Sequence, residues 1–135
     1  MPLTDLNHFL VIAKDIEASR RFYVDALGMR EGERPWAPFP GYWLAIGSHV
    51  CVHLASASND EQLLAYFDRK PGASPAGSGA VDHIAFFASG LVEFEERFTR
   101  LSIPMRRRSL PQSGLEQIFI HDPDGVSIEL NFPNR

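Results

Sequence analysis

The sequence predicts an α+β fold made from two copies of one unit, a strand and a helix followed by three strands. Three observations predict it. Both halves pass through the same succession of hydrophobic patterns, with period-2 or continuous apolar runs alternating with one helical stripe. Equivalent residues recur at a nearly fixed offset: His8 to His83 is 75 residues, while Phe22 to Phe98, Met29 to Met105 and His53 to Glu129 are each 76. Between the halves lies Pro71-Gly72-Ala73-Ser74-Pro75-Ala76-Gly77-Ser78-Gly79, a run of linker composition. One residue inserted after the first strand reconciles all four pairs, so the chain reads as an internal duplication of about 50 residues. Units that small have little core of their own, so the halves are expected to bury their sheets against each other or against a second copy of the chain.

The elements follow in order. Leu6 to Ala13 is a continuous apolar run containing His8, the pattern of a strand covered on both faces. Asp15 is placed to cap a helix whose apolar stripe includes Ile16, Phe22, Tyr23, Ala26 and Leu27, and Gly28 is placed to end it. Gly32, Pro35, Pro38 and Pro40 restrict the next strand to a short or edge one. Residues 41–46 and 49–55 read as a hairpin turning at Gly47-Ser48. Glu61 to Arg69 is expected to form a short helix before the linker. Val81 to Phe87 then repeats the opening strand, His included. Leu91, Phe94, Phe98 and Leu101 form a second helical stripe ended by Pro104. Arg106-Arg107-Arg108 opens a polar strand, and a final hairpin, Gln117 to Phe132, turns at Asp122-Pro123-Asp124-Gly125.

Bulk properties narrow the function. A hydrophobic fraction of 44% excludes general disorder, and a formal net charge of −4 argues against nucleic acid or an anionic membrane as partner. A lone Cys51 forms no intrachain disulfide. With no signal segment and no apolar run near the ~20 residues that span a bilayer, a cytoplasmic location is expected.

The chemistry gathers at the repeat-related positions. Glu129 lies between Ile128 and Leu130, and a carboxylate buried alone there costs several kcal/mol, so it needs a cation, a metal or water. Overlaying the halves puts His8 on His83 and His53 on Glu129. A single His in a buried strand is ordinarily a hydrogen-bonded core residue. Four imidazole or carboxylate groups at equivalent positions form a set, and those donors suit divalent Fe, Ni, Zn, Co or Mn. His49 and His121 have no repeat-related partner and are read as solvent-facing or structural. Arg106 and Arg108 share one face of their strand and Arg107 takes the other, so the three cannot all line one pocket. Trp36, Phe39, Tyr42 and Trp43 suit either a substrate wall or core and dimer packing.

Phe119-x-x-Asp122-Pro123-Asp124-Gly125-x-x-Ile128-Glu129-Leu130, Asn7-His8, Phe22-Tyr23-x-x-x-Leu27-Gly28-Met29 and Asp82-His83-Ile84-Ala85-Phe86 together resemble the vicinal oxygen chelate superfamily. Its members include glyoxalase I, extradiol dioxygenases, methylmalonyl-CoA epimerase and the fosfomycin and bleomycin resistance proteins. The resemblance implies one domain over 1–135, with module 1 at about 5–55, a linker with a short helix at 56–80, and module 2 at about 81–133. It implies two βαβββ modules in a cup-shaped mixed sheet with helices outside, and a divalent metal on His8, His53, His83 and Glu129. A ligand at all four places favours a glyoxalase-like lyase or isomerase, binding two oxygens of a small substrate on the metal through an enediolate-type intermediate. Glyoxalase I usually carries Glu where this chain has His53, which leaves Glu129 as the catalytic proton carrier. Trp43, Arg108 and Phe119 are the expected substrate contacts, and a homodimer the expected assembly. The alternatives are an Fe(II)-dependent extradiol-type dioxygenase and a non-catalytic antibiotic-binding resistance protein.

Overall fold

The computed structural model describes residues 6–34, 40–57, 61, 77 and 81–134. The chain divides into two compact units, Met1–Pro75 and Ala76–Arg135. Trp36, Phe39, the linker at 71–79 (apart from Gly77) and all but Glu61 of the expected helix from Glu61 to Arg69 lie outside the described residues.

In the first unit, β1 (Phe9–Ala13) leads into α1 (Ile16–Arg21), and three strands follow: β2 (Arg30–Glu31), β3 (Gly41–Ile46) and β4 (His49–Ser56). Asp15 caps α1 by accepting from the Ala18 amide at 3.1 Å. The helix widens into a π-turn over Phe22–Ala26 and stops at Gly28, whose φ of 77° only glycine adopts freely. The sheet order is β1-β4-β3-β2, with β1 and β4 parallel and the remaining pairs antiparallel.

The second unit repeats the plan. β5 (Ile84–Phe87) leads to α2 (Leu91–Arg100), β6 (Arg106–Leu110), β7 (Leu115–His121) and β8 (Ser127–Pro133), in the order β5-β8-β7-β6 with β5 and β8 parallel. Phe98 is fully buried, and Phe94 sets its ring against Phe132 of β8 at 5.6 Å, so the apolar stripe of α2 faces its own sheet. In the final turn, Asp122 Oδ1 accepts from the Asp124 and Val126 amides, each at 2.8 Å, and Gly125 has φ 85°. The Asp122 carboxylate is therefore structural, as expected from Asp-Pro-Asp-Gly. These two mixed four-stranded sheets with few helices are the duplicated βαβββ fold.

The register confirms the duplication and corrects one part of it. Phe9 pairs with Val52 as Ile84 pairs with Ile128, and Trp43 faces His53 as Phe119 faces Glu129, which are the 75- and 76-residue offsets. β2 departs from them. Arg30 faces Ala45, whereas Arg106 faces Phe119, so β2 is paired two residues out of step with β6, and the Arg34 guanidinium lies beside Gly41, the counterpart of Gln117. β2 pairs through only two residues before the proline-rich run, too few to hold the register that five residues fix in β6.

Three further expectations change. β1 begins at Phe9 and β5 at Ile84, so His8 and His83 precede their strands instead of lying within them. β1 is also not covered on both faces: Leu10 is 39% exposed, and among the described residues the strand ends its sheet. α2 stops before Pro104, at Ser102 with φ 57°, where the Ile103 amide bonds the Phe98 carbonyl at 2.8 Å. No helix among the described residues is long and apolar enough to cross a membrane.

Candidate metal and substrate site

Each unit brings together two of the four expected ligands. In the second unit, the parallel pairing of β5 with β8 sets Ala85 beside Glu129 and so carries His83, two residues earlier, near the carboxylate. His83 Nε2 lies 3.7 Å from Glu129 Oε1. That is too long for a hydrogen bond, but close to the ~3.4 Å that separates two donors each ~2.1 Å from one tetrahedral ion. His83 Nδ1–H donates to Asp82 Oδ2 at 2.8 Å, which fixes the tautomer and turns the Nε2 lone pair toward Glu129. The Asp82 hydrogen bond, with help from Glu129, holds the His83 pKa above its ordinary value.

Glu129 is only 8% exposed, and three hydrogen bonds lead away from it. Its Oε2 accepts from Asn131 Nδ2 at 2.9 Å, Asn131 Oδ1 accepts from Gln117 Nε2 at 2.8 Å, and Gln117 Oε1 accepts from Arg108 Nε at 2.7 Å. One carboxylate oxygen is thereby tethered while the other faces His83. Neither Gln117 nor Asn131 emerged from the sequence. The available signal was strand alternation: Asn131 is two residues past Glu129 and faces Gln117 across the β7–β8 ladder.

In the first unit, His53 is sandwiched between two rings. His8 stacks on it at 3.8 Å with planes 12° apart, and Trp43, its cross-strand partner, stacks at 4.4 Å with planes 9° apart. Burial, followed by the neighbouring His8 and Arg34, drives the His53 pKa down to about 4. The ring is therefore neutral at physiological pH, the form that ligates metal. His8 Nδ1–H donates to Asn7 Oδ1 at 2.7 Å, the counterpart of the Asp82–His83 bond. The polar residue before each His was thus a signal, present in both halves, for an orienting partner.

The other singled-out residues separate cleanly. His49 donates through Nε2 to the Asn7 carbonyl at 2.8 Å, and a bulge at Leu44/Ala45 shifts it out of the alternation that would align it with His53. His121 meets Ser127 at the exposed hairpin end, where both also line the cleft of the second unit. Tyr42 donates its hydroxyl to Glu17 on α1, so it braces the helix and is no substrate wall. Trp43 presents its face to the His53 imidazole. Phe119 and Arg108 line an open cleft of about 600 Å³ in the second unit, together with Asp82, His83, Arg106 and Glu129.

The donor chemistry fits a divalent cation, unequally in the two units. His83 and Glu129 present converging donors as they stand. The stacked rings of His8 and His53 hold their in-plane lone pairs nearly parallel, so the exposed His8 has to turn out of the stack to share an ion with His53. Among the described residues no three His, Cys, Asp or Glu side chains gather into one metal-holding group.

Residues 5–130 match the model of the Glyoxalase/Bleomycin resistance protein/Dioxygenase superfamily. The chain belongs to this superfamily. Within it, the chain is 31% identical over 131 residues to a protein of Arabidopsis thaliana named Glyoxylase I 4, covering 95% of this chain and 70% of that one. Among solved structures, it is similar to lactoylglutathione lyase from Agrobacterium tumefaciens, with a TM-score of 0.65, 22% identity and coverage of 98% and 96% of the two chains. It is also similar to a variant of the fosfomycin resistance protein FosX from Listeria monocytogenes, with a TM-score of 0.70, 19% identity and coverage of 98% and 95%. That FosX structure holds Mn(II) and 1S,2S-dihydroxypropylphosphonic acid. At these identities the two structures establish the superfamily fold.

Proposed function

We propose that this chain is a metal-dependent, glyoxalase-like lyase or isomerase acting on a small oxygen-bearing substrate, with His8, His53, His83 and Glu129 holding a divalent cation. The observation that carries this reading is the His83–Glu129 pair: a buried carboxylate oxygen and an oriented imidazole lone pair face each other across 3.7 Å. The relative named Glyoxylase I 4 and the lactoylglutathione lyase structure support the lyase class.

A bound cation supplies Lewis acidity to two oxygens of the substrate. The protein supplies the rest. Asp82 and Asn7 hold the tautomers of His83 and His8, and the environment of His53 keeps it unprotonated. Asn131 fixes Oε2 of Glu129 and leaves Oε1 facing His83; Oε1 would have to release a cation held there before it could take a proton from one substrate carbon and return it to the next. Glu129 is thus both ligand and proton carrier, the role its burial suits.

The same reading makes the chain a homodimer. Its support is exposed apolar surface at a sheet edge: among the described residues β5 ends its sheet, and Phe87 is 81% exposed. Sedimentation of a single monomeric species overturns this part.

The test is metal identification on protein purified without chelator, followed by assay of that metalloform with a hemithioacetal and with a catechol. Turnover of the hemithioacetal supports the lyase. Fe(II)-dependent oxygen consumption with the catechol assigns the dioxygenase alternative, and a metal-free protein inert to both assigns the binding protein.

A further inference from the structure

Three consecutive arginines on β6 are treated differently by the fold. Strand alternation sends Arg107 to one face, where it pairs with Glu95 of α2 at 2.9 Å and with Glu116 of β7 at 3.3 Å. Arg106 and Arg108 take the other face, and both guanidiniums lie over the single ring of Phe119, at 4.3 and 5.0 Å from its centre. Among the described residues neither of these two meets a carboxylate, although Arg107 has two.

The arrangement is organised for a ligand. Stacking on an aromatic face restrains each guanidinium plane, so less rotamer freedom is lost when it is engaged. Gln117 holds the Nε of Arg108 at 2.7 Å, leaving its outer nitrogens to present a fork. Residues two apart on a strand face sit about 7 Å from each other, a gap that one carboxylate or phosphate-like group spans by accepting from both. Phe119 is also the cross-strand partner of Glu129, so the arginine pair opens onto the same cleft as the His83–Glu129 pair.

We propose that Arg106 and Arg108, seated on Phe119, form an oxyanion subsite of this cleft, so that the substrate is an acid. It carries a carboxylate or a phosphorus oxyanion a few atoms from the two oxygens presented to the cation. The inference rests on the reading of this cleft as the active site and adds the class of substrate it takes.

The test uses chelator-treated protein, in which no metal contributes, and follows the arginine Nε–H resonances during titration with inorganic phosphate and, separately, with acetate. Saturable shifts at Arg106 and Arg108 are expected, with Arg106→Gln and Arg108→Gln each weakening binding about tenfold. Arg107→Gln is expected to change it less than about twofold, since that side chain faces α2. Tighter binding of phosphate than acetate assigns the phosphorus oxyanion, and the reverse assigns the carboxylate. Non-saturating shifts, or equal affinity in the wild type and the Arg106→Gln/Arg108→Gln double variant, overturn the subsite. Metal content is measured on the wild-type protein before chelation. Anion binding without metal retention leaves the subsite standing and removes the lyase reading, whereas metal retention without anion binding removes the subsite alone.

Discussion

The two modules share a backbone and differ in what they place on it. His53 stands where the second module has Glu129. Gly41 and Ala55 pair where the second module pairs Gln117 with Asn131. The hydrogen-bonded chain from Arg108 to Glu129 therefore has no counterpart among the described residues, although the Arg34 guanidinium lies beside Gly41 and its charge reaches the His53 imidazole. The packing shows why. A Cβ on Gly41 would lie 2.4 Å from the Leu54 carbonyl oxygen, so a glutamine there requires the strands to move. The first module instead stacks rings around a neutral imidazole. One fold thus yields a charged donor held by hydrogen bonds and a neutral donor held by π-contacts.

The largest effects are expected where the modules agree. Phe98 is fully buried and Phe22, its equivalent, nearly so. Phe98→Ala and Phe22→Ala should each cost about 3–5 kcal/mol, with Phe98 at the upper end, measured by urea denaturation. A cost below about 1 kcal/mol at either site would mean that its helix does not anchor its module.

Metal affinity breaks the symmetry next. Glu129→Gln should cost more than the roughly 10–100-fold that follows loss of an outer-shell partner, because it removes the one charged donor. His8→Ala and His83→Ala should also lose metal, and full retention in all three variants rules out the four-ligand site. Asn131→Leu should cost about 10–100-fold in affinity by freeing Oε2 of Glu129, while Ala55→Ser, at the matching place, should cost less than about twofold. Competition against a chromogenic chelator reads both. Equal effects at Asn131 and Ala55 would mean that the hydrogen-bonded chain does not orient the carboxylate.

Much of this was legible in the sequence because side-chain type and spacing survive duplication. The offsets located both modules, the four ligand-type residues and the alternation that parts Arg107 from Arg106 and Arg108. The slip of β2 was not legible, since two paired residues carry too little pattern to specify register. The exposure of Leu10 was hidden for a related reason: an apolar run does not say whether its strand lies at an edge. The stack of His8, His53 and Trp43 depends on side-chain rotation, which spacing does not encode.

The smallest and sharpest test is a single proton on each module. In metal-free protein His53 titrates at about 4 and His83 above the ordinary 6.5. Between about 4 and 6.5 the unfolded chain binds a proton at position 53 that the folded protein refuses, so His53 makes stability fall as pH falls through that window. His83 has the opposite sign. Its contribution is present below 6.5 and is lost as pH rises through its elevated folded pKa. Following the two Cε1–H resonances by NMR should therefore give midpoints on opposite sides of 6.5. Asp82→Asn should bring the His83 midpoint down, since the carboxylate bond is the first cause of its shift, and leave His53 in place. Metal binding then competes with a proton at His83 but with none at His53 near neutrality, so affinity should decline on acidification from the His83 midpoint downward. A shared midpoint for the two rings would erase the distinction between the modules at the atoms that matter for ligation.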